Sequence, residues 1–200
     1  MLTQVEKRKK AVLEALDELE RPLVKYATRL LSGDENAARD AVQHAFLKLC
    51  STAELPPNIP AWLYTVCRNR AMDRLRQLQR ESQTNDQEGL ASSQVASRDL
   101  GPSEQLERDD LLRLIQELIS QLSPTQREMA ELWSQGFSNQ EISAVSGKTE
   151  STVRVNLHRA IKSIRQHPMI RTWVGDGSET FSPVVLNGVN SKLPTQKSIK

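Results

Sequence analysis

Residues 138–160 read SNQEISAVSGKTESTVRVNLHRA, two helical stretches parted by a glycine, and this break constrains the fold more than any other feature of the chain. Ser138 and Glu141 have the spacing of a capping box, and Thr149 is placed to cap a further helix. A continuous helix keeps its i to i−4 hydrogen bonds, so a break sacrifices several of them for a change of direction. A short helix, a turn containing glycine and a second helix at a steep angle form the helix-turn-helix layout. The spacing predicts helices over Asn139–Ser146 and Glu150–Arg165, with Gly147 in the turn.

The second helix has two distinct faces. Val153, Leu157, Ala160, Ile161 and Ile164 recur at helical spacing and are expected to pack against Leu132, Ile142 and Val145. The opposite face carries Ser151, Arg154, Val155, Asn156, His158, Arg159 and Lys162. Guanidinium groups suit phosphates or guanine, and an asparagine suits adenine. This predicts that the second helix lies in the major groove of DNA while the first crosses the backbone. A helical hairpin with a solvated charged face is the plainer alternative. SGKTES at 146–151 is not a phosphate loop, because position 142 is Ile where that motif needs glycine, and no strand precedes it.

Upstream, SPTQ at 123–126 is another capping box with proline at the first helical position, opening a helix that ends at Gly136. Helical pattern before it runs through Leu106, Leu111, Leu114, Ile115, Leu118 and Leu122. Between the two halves, ESQTNDQEGLASSQVASRDLG has few apolar residues and no period, as a flexible linker does.

The N-terminal part predicts three helices. Thr3 and Glu6 cap the first, whose apolar positions Val12, Leu16, Leu19, Leu23, Tyr26 and Leu30 extend to about residue 31, with Pro22 expected to kink or restart it. Asp34 caps a second helix to about Cys50, with Ala38, Ala41, Val42, Ala45, Phe46 and Leu49 inward. The prolines of STAELPPNIP impose a loop, and Pro60 then suits the first turn of a third helix to about Arg80. With 4% aromatic residues and few strand-forming runs, the composition argues against a sheet protein. The expected fold is all-α, two small helical domains joined by a flexible linker.

Charge divides along the same boundaries. Residues 1–80 hold 14 Lys+Arg against 10 Asp+Glu, residues 81–122 hold 3 against 9, residues 123–167 hold 6 against 4, and residues 168–200 hold 4 against 2. Basic ends around an acidic middle point to polyanion contact at two places. Residues 68–80 hold five arginines and one acid, enough to follow a phosphate backbone. Cys50 and Cys67 fall among apolar positions and are expected as buried thiols of a cytoplasmic protein, not a disulfide or metal site. No apolar run approaches the ~20 residues of a membrane span, so no membrane insertion is expected.

Residues 123–165, SPTQREMAELWSQGFSNQEISAVSGKTESTVRVNLHRAIKSIR, resemble region 4 of bacterial RNA polymerase sigma factors. They open on Ser-Pro-Thr-Gln-Arg and carry a "G(F/L)S…EIA" helix and a "TV…LHRA" recognition helix, with Ser143 where the family usually has Ala. ARDAVQHAFLKL and PAWLYTVCRNRAMDRLR resemble helices of the family's region 2. The order of motifs resembles the small extracytoplasmic-function (ECF) group of the sigma-70 family.

That resemblance implies a transcription initiation factor, without enzyme activity or cofactor, that directs core RNA polymerase to promoter DNA. Asp40, Gln43, Phe46 and Leu47 would dock on the polymerase clamp helices, with His44 replacing the usual acid. Trp62, Arg68, Asn69, Asp73 and Arg76 would open and read the −10 element. Ser151, Thr152, Arg154, Val155, Asn156, Arg159 and Lys162 would read the −35 element. The implied organisation is a region 2-like domain at 1–82, a linker at 83–102, a region 4-like domain at 103–167 and a tail at 168–200, disordered or regulatory. An anti-sigma factor is a further implied partner. The alternative is a free-standing helix-turn-helix regulator whose N-terminal helices dimerise or sense a ligand. An enzyme finds little support, since His44, His158 and His167 lack metal-ligand spacing and no nucleophile motif is present.

Overall fold

The computed structural model describes residues 3–84, 114 and 117–168, and every regular element among them is an α-helix. The 83–102 linker beyond residue 84, the helical pattern at 103–113 and the tail beyond Pro168 lie outside the described residues. The chain forms two compact units, one built on the first three helices and the other on most of the C-terminal half.

In the first unit, α1 spans Gln4–Leu30, α2 spans Glu35–Ser51 and α3 spans Ile59–Thr84. The starts of α1 and α2 are capped as the sequence implies, and α3 has a cap that was not anticipated, Asn58. The Thr3 amide donates to Glu6 Oε2 at 2.6 Å and the Glu6 amide to Thr3 Oγ1 at 3.3 Å. The Thr3 backbone N–H, then its hydroxyl, hold the Glu6 carboxyl below its ordinary value. The Ala37 amide donates to Asp34 Oδ1 at 3.0 Å, and the Ala61 amide donates to Asn58 Oδ1 at 3.0 Å.

Pro22 does not restart α1, one of the two outcomes expected there: the helix is continuous through it. Proline removes the hydrogen bond to the carbonyl four residues earlier, that of Glu18. Glu18 is exposed, so water can take that carbonyl, while the next turn buries Leu23, Tyr26 and Ala27. Burial of that size outweighs one lost bond.

Each of the three helices packs on the other two. Ala38, Ala41 and Ala45 line the buried side of α2 and allow close approach, and Val42, Phe46 and Leu49 fill the rest. Leu63, Tyr64, Val66, Cys67 and Ala71 face them from α3. The Tyr26 and Tyr64 rings meet with centroids 5.1 Å apart at a tilt of 54°, within the contact range of aromatic pairs.

The end of α2 is closed from a distance. The Arg8 guanidinium donates to the carbonyls of Ala53 (2.8 Å), Cys50 (2.9 Å), Leu49 (3.4 Å) and Thr52. These include carbonyls of the last turn, which have no partner within the helix.

The cysteines differ, which corrects the expectation that both are buried. Cys67 is fully buried among the helices and its thiol is pushed up to about 12 by desolvation. Cys50 is exposed, because it lies in the last turn of α2, past the packed stretch that ends at Leu49. A thiol reagent at pH 8 should therefore add once to the folded chain, at Cys50, and twice after denaturation, as mass spectrometry of the adducts would read. Rapid modification of Cys67 in the native protein would contradict this packing.

In the C-terminal half, helical residues 117–121 precede α4 (Pro124–Ser134), α5 (Asn139–Ser146) and α6 (Glu150–Arg165). Leu118, Leu122, Ala130, Ala160 and Ile164 form one buried cluster, with Leu114, Ile119 and Ile161 packed against it. α4 and α6 pack directly on each other. Ser123 and Gln126 form their reciprocal capping box. Arg127 repeats the device of Arg8: its guanidinium donates to the carbonyls of Ile119 (3.1 Å), Leu122 (3.2 Å) and Ser120. Among the described residues, no helix is long and apolar enough to cross a membrane.

Candidate functional site

The turn between α5 and α6 is built by local chemistry. The Ser138 amide donates to Glu141 Oε2 at 2.7 Å, and the Glu141 amide donates to Ser138 Oγ at 3.3 Å, which fixes the start of α5. Gly147 ends that helix at φ +67°, in the left-handed region. The Ser143 hydroxyl then donates to the Lys148 carbonyl at 2.6 Å. The Thr149 hydroxyl accepts from the Thr152 amide at 3.3 Å and starts α6.

A Cβ built on Gly147 meets nothing within 4 Å, so torsion alone opposes a side chain there. Gly147→Ala should cost about 1–2 kcal/mol of stability, visible as a lower denaturation midpoint. An unchanged midpoint would show that the left-handed residue does not define the turn.

α6 sorts its side chains cleanly. Val153, Leu157, Ala160 and Ile164 are buried, as are Leu132, Ile142 and Val145. On the other side, at about 100° per residue, Ser151, Val155, His158 and Lys162 form one row, flanked by Arg154 and Arg159. All six are exposed. Val155 is 47% exposed, an apolar contact point amid hydroxyl, imidazole and cationic groups. Thr152 and Asn156 sit half-buried at the edge, where Asn156 Nδ2 donates to the Thr152 carbonyl at 2.8 Å. Arg154 lies 2.8 Å from Glu150, with both side chains largely exposed. Such a pair contributes little, so the guanidinium can exchange it for a phosphate or base at small cost.

The first unit presents two further rows. On α3, Trp62, Asn69, Asp73, Arg76 and Arg80 fall within a narrow arc, taking 3.6 residues per turn. Asn69, Asp73, Arg76 and Arg80 are exposed and Trp62 is half-buried. Arg76 pairs with Asp73 at 2.7 Å. Arg68 lies about 120° from this row and is half-buried, so the structure brings together four of the five residues expected to act there. On α2, Asp40, Gln43, His44 and Leu47 share an exposed face. Leu47 is 63% exposed, whereas its neighbour Phe46 is 8% exposed and turned into the core.

Reading the sequence missed both arginine clamps. Arg127 stands in the SPTQR opening, which marked it without giving its role, and Arg8 sits inside the basic run 7–10 with nothing to distinguish it. His158 belongs to the exposed α6 row although it was not among the expected −35 contacts. Among the described residues, no group of His, Cys, Asp and Glu could hold a metal ion.

Comparison with known proteins places these rows in two recognised segments. The family model described as Sigma-70 region 2 matches residues 16–81, and that described as Sigma-70, region 4 matches residues 112–164. The chain is 31% identical over 163 residues to the ECF RNA polymerase sigma factor SigL of Mycobacterium tuberculosis, covering 78% of this chain and 88% of that protein. It is 27% identical over 145 residues to the probable RNA polymerase sigma factor RfaY of Xanthomonas campestris, of which it spans only 36%. Among solved structures it matches the sigma factor RpoE of Bartonella quintana, determined in complex with the anti-sigma factor NepR. That match has a TM-score of 0.62 and 26% identity, covering 78% of this chain and 96% of the other.

Proposed function

This chain belongs to the ECF sigma factors of the sigma-70 family, and we propose that it docks on core RNA polymerase through α2 and directs it to promoters through α3 and α6. The observation that carries this reading is the outward face of α6, which offers base-contacting chemistry while the inward face is consumed by the core. Arg154 and Arg159 suit guanine or phosphate, Asn156 suits adenine, and Val155 suits a thymine methyl in the −35 element. The α3 row supplies the −10 contact: Arg76 and Arg80 follow the backbone, and Asn69 and Trp62 hold an unstacked base.

The exposed α2 face, with Leu47 beside Asp40 and Gln43, supplies an apolar anchor with a polar surround, the composition of a partner interface. Residues 1–82 would thus be the polymerase and −10 domain, residues 103–167 the −35 domain, and residues 83–102 the linker between them. The role is binding without catalysis, carried out in the cytoplasm. Because the Bartonella relative was solved with an anti-sigma factor, a partner of that kind is proposed as this chain's regulator.

The test mixes the purified chain with bacterial core RNA polymerase and maps transcription starts on genomic DNA. Co-elution together with starts downstream of a shared pair of elements is the expected result. Failure to bind polymerase, with footprinting of duplex DNA by the chain alone, would replace this reading with a free-standing regulator.

A further inference from the structure

The turn between α5 and α6 contains one bond that surface contacts do not explain. Ser143 donates its hydroxyl hydrogen to the Lys148 carbonyl at 2.6 Å, linking α5 to the residue just before the Thr149 cap. Gly147, at φ +67°, is the residue with the least intrinsic stiffness in the segment. A hydrogen bond that spans it restricts the torsions on both sides. The Thr149 hydroxyl, which lies 3.0 Å from Ser151 Oγ and 2.8 Å from Thr152 Oγ1, continues this polar brace into the first turn of α6.

We infer that Ser143 is a positioning residue for promoter recognition: its hydroxyl sets the direction in which α6 leaves the turn, and so where Arg154, Val155 and Arg159 meet the −35 bases. This rests on the promoter reading above. Arg154 and Arg159 lie about 6 and 14 Å along α6, so a 10° change of direction moves them by roughly 1 and 2 Å. Contacts that discriminate bases tolerate displacements of only about 0.5 Å. An exposed, neutral hydrogen bond contributes little to overall stability. Its loss therefore falls on selectivity, which distinguishes this role from that of the buried residues beneath it.

The experiment compares the full chain with its Ser143→Ala and Ser143→Thr variants by two readouts. Hydrogen exchange of the amides at 149–153 is measured on the free chain. Exchange should be several-fold faster in Ser143→Ala and close to the parent in Ser143→Thr, which keeps a hydroxyl. Equal rates in parent and Ser143→Ala would overturn the inference at its structural root.

Initiation is then measured with core RNA polymerase on a promoter library randomised across the −35 segment. Ser143→Ala should flatten the −35 base preferences several-fold and leave the −10 preferences intact, with Ser143→Thr restoring the parent pattern. Faster exchange with unchanged −35 preferences would reduce Ser143 to a local brace and reject its positioning role. If the parent chain gives no promoter-specific initiation, the promoter reading fails and the inference falls with it. That outcome is distinguishable from a missing brace, because exchange is read without polymerase.

Discussion

Replacing Leu47 by aspartate should abolish co-elution with core RNA polymerase while leaving the chain folded. Leu47 is 63% exposed, so the fold gains almost nothing from its side chain, and a polar residue there costs the free protein little. At an interface the balance reverses, because the carboxylate must surrender its hydration in a site shaped for an apolar group. A loss of about 3 kcal/mol, roughly 100-fold in affinity, is the expected order. Circular dichroism and the melting temperature should stay at the parent values. Wild-type binding by the variant would exclude the α2 face as the docking surface. Phe46→Ala makes a poor substitute for this experiment: Phe46 is buried beneath that face, and emptying its site costs about 3–5 kcal/mol of stability, confounding binding with unfolding.

Arg127→Ala should produce the larger change in stability. Its guanidinium holds three carbonyls at the end of helical residues 117–121, and alanine leaves them without that donor at a partly buried helix end. Hydrogen bonds to a charged group contribute about 1.5–3 kcal/mol. In a unit of this size, that corresponds to a fall of roughly 10 °C or more in melting temperature. Hydrogen exchange resolved by peptide should place the loss in residues 117–165 and spare 15–71. Lysine should rescue only in part, since an ammonium cannot present the planar fork that reaches several carbonyls together. Parent-like exchange in Arg127→Ala would show that the clamp is incidental.

These two residues also show what could be read from sequence and what could not. The helix starts were legible because caps are local: Thr3 with Glu6, Asp34, Ser123 with Gln126, and Thr149 each act on an amide three residues away. The faces of α6 were legible because period alone sorts Val153, Leu157, Ala160 and Ile164 from Arg154, Val155 and Arg159. Period alone failed where neighbours run out. Leu16 belongs to the apolar repeat of α1 yet is 39% exposed, and Cys50 continues the α2 stripe one position too far. The helix does not restart at Pro22, because burial beyond it outweighs the one lost bond that the rule for proline counts. Arg68 and Arg76 look equivalent in a basic run, but the helix turns one aside and leaves the other on the exposed row. The arginine clamps were not legible, since their acceptors are backbone carbonyls, which any sequence supplies.

The two clamps also impose a timetable on a chain made from its N-terminus. Arg127 comes five to eight residues after the carbonyls it holds, so its bracket can close within one supersecondary unit as soon as that unit exists. Arg8 precedes its acceptors by 41 to 45 residues, and its bracket stays open until Ala53 has been synthesised and α2 has come back against α1. At about 5–20 residues per second, the first helix waits seconds for its partner, carrying Leu23 and Tyr26 uncovered meanwhile. Contacts of such long sequence separation form late and slowly. The N-terminal unit is therefore the one that should lean on chaperones during synthesis, although it leaves the ribosome before the C-terminal one.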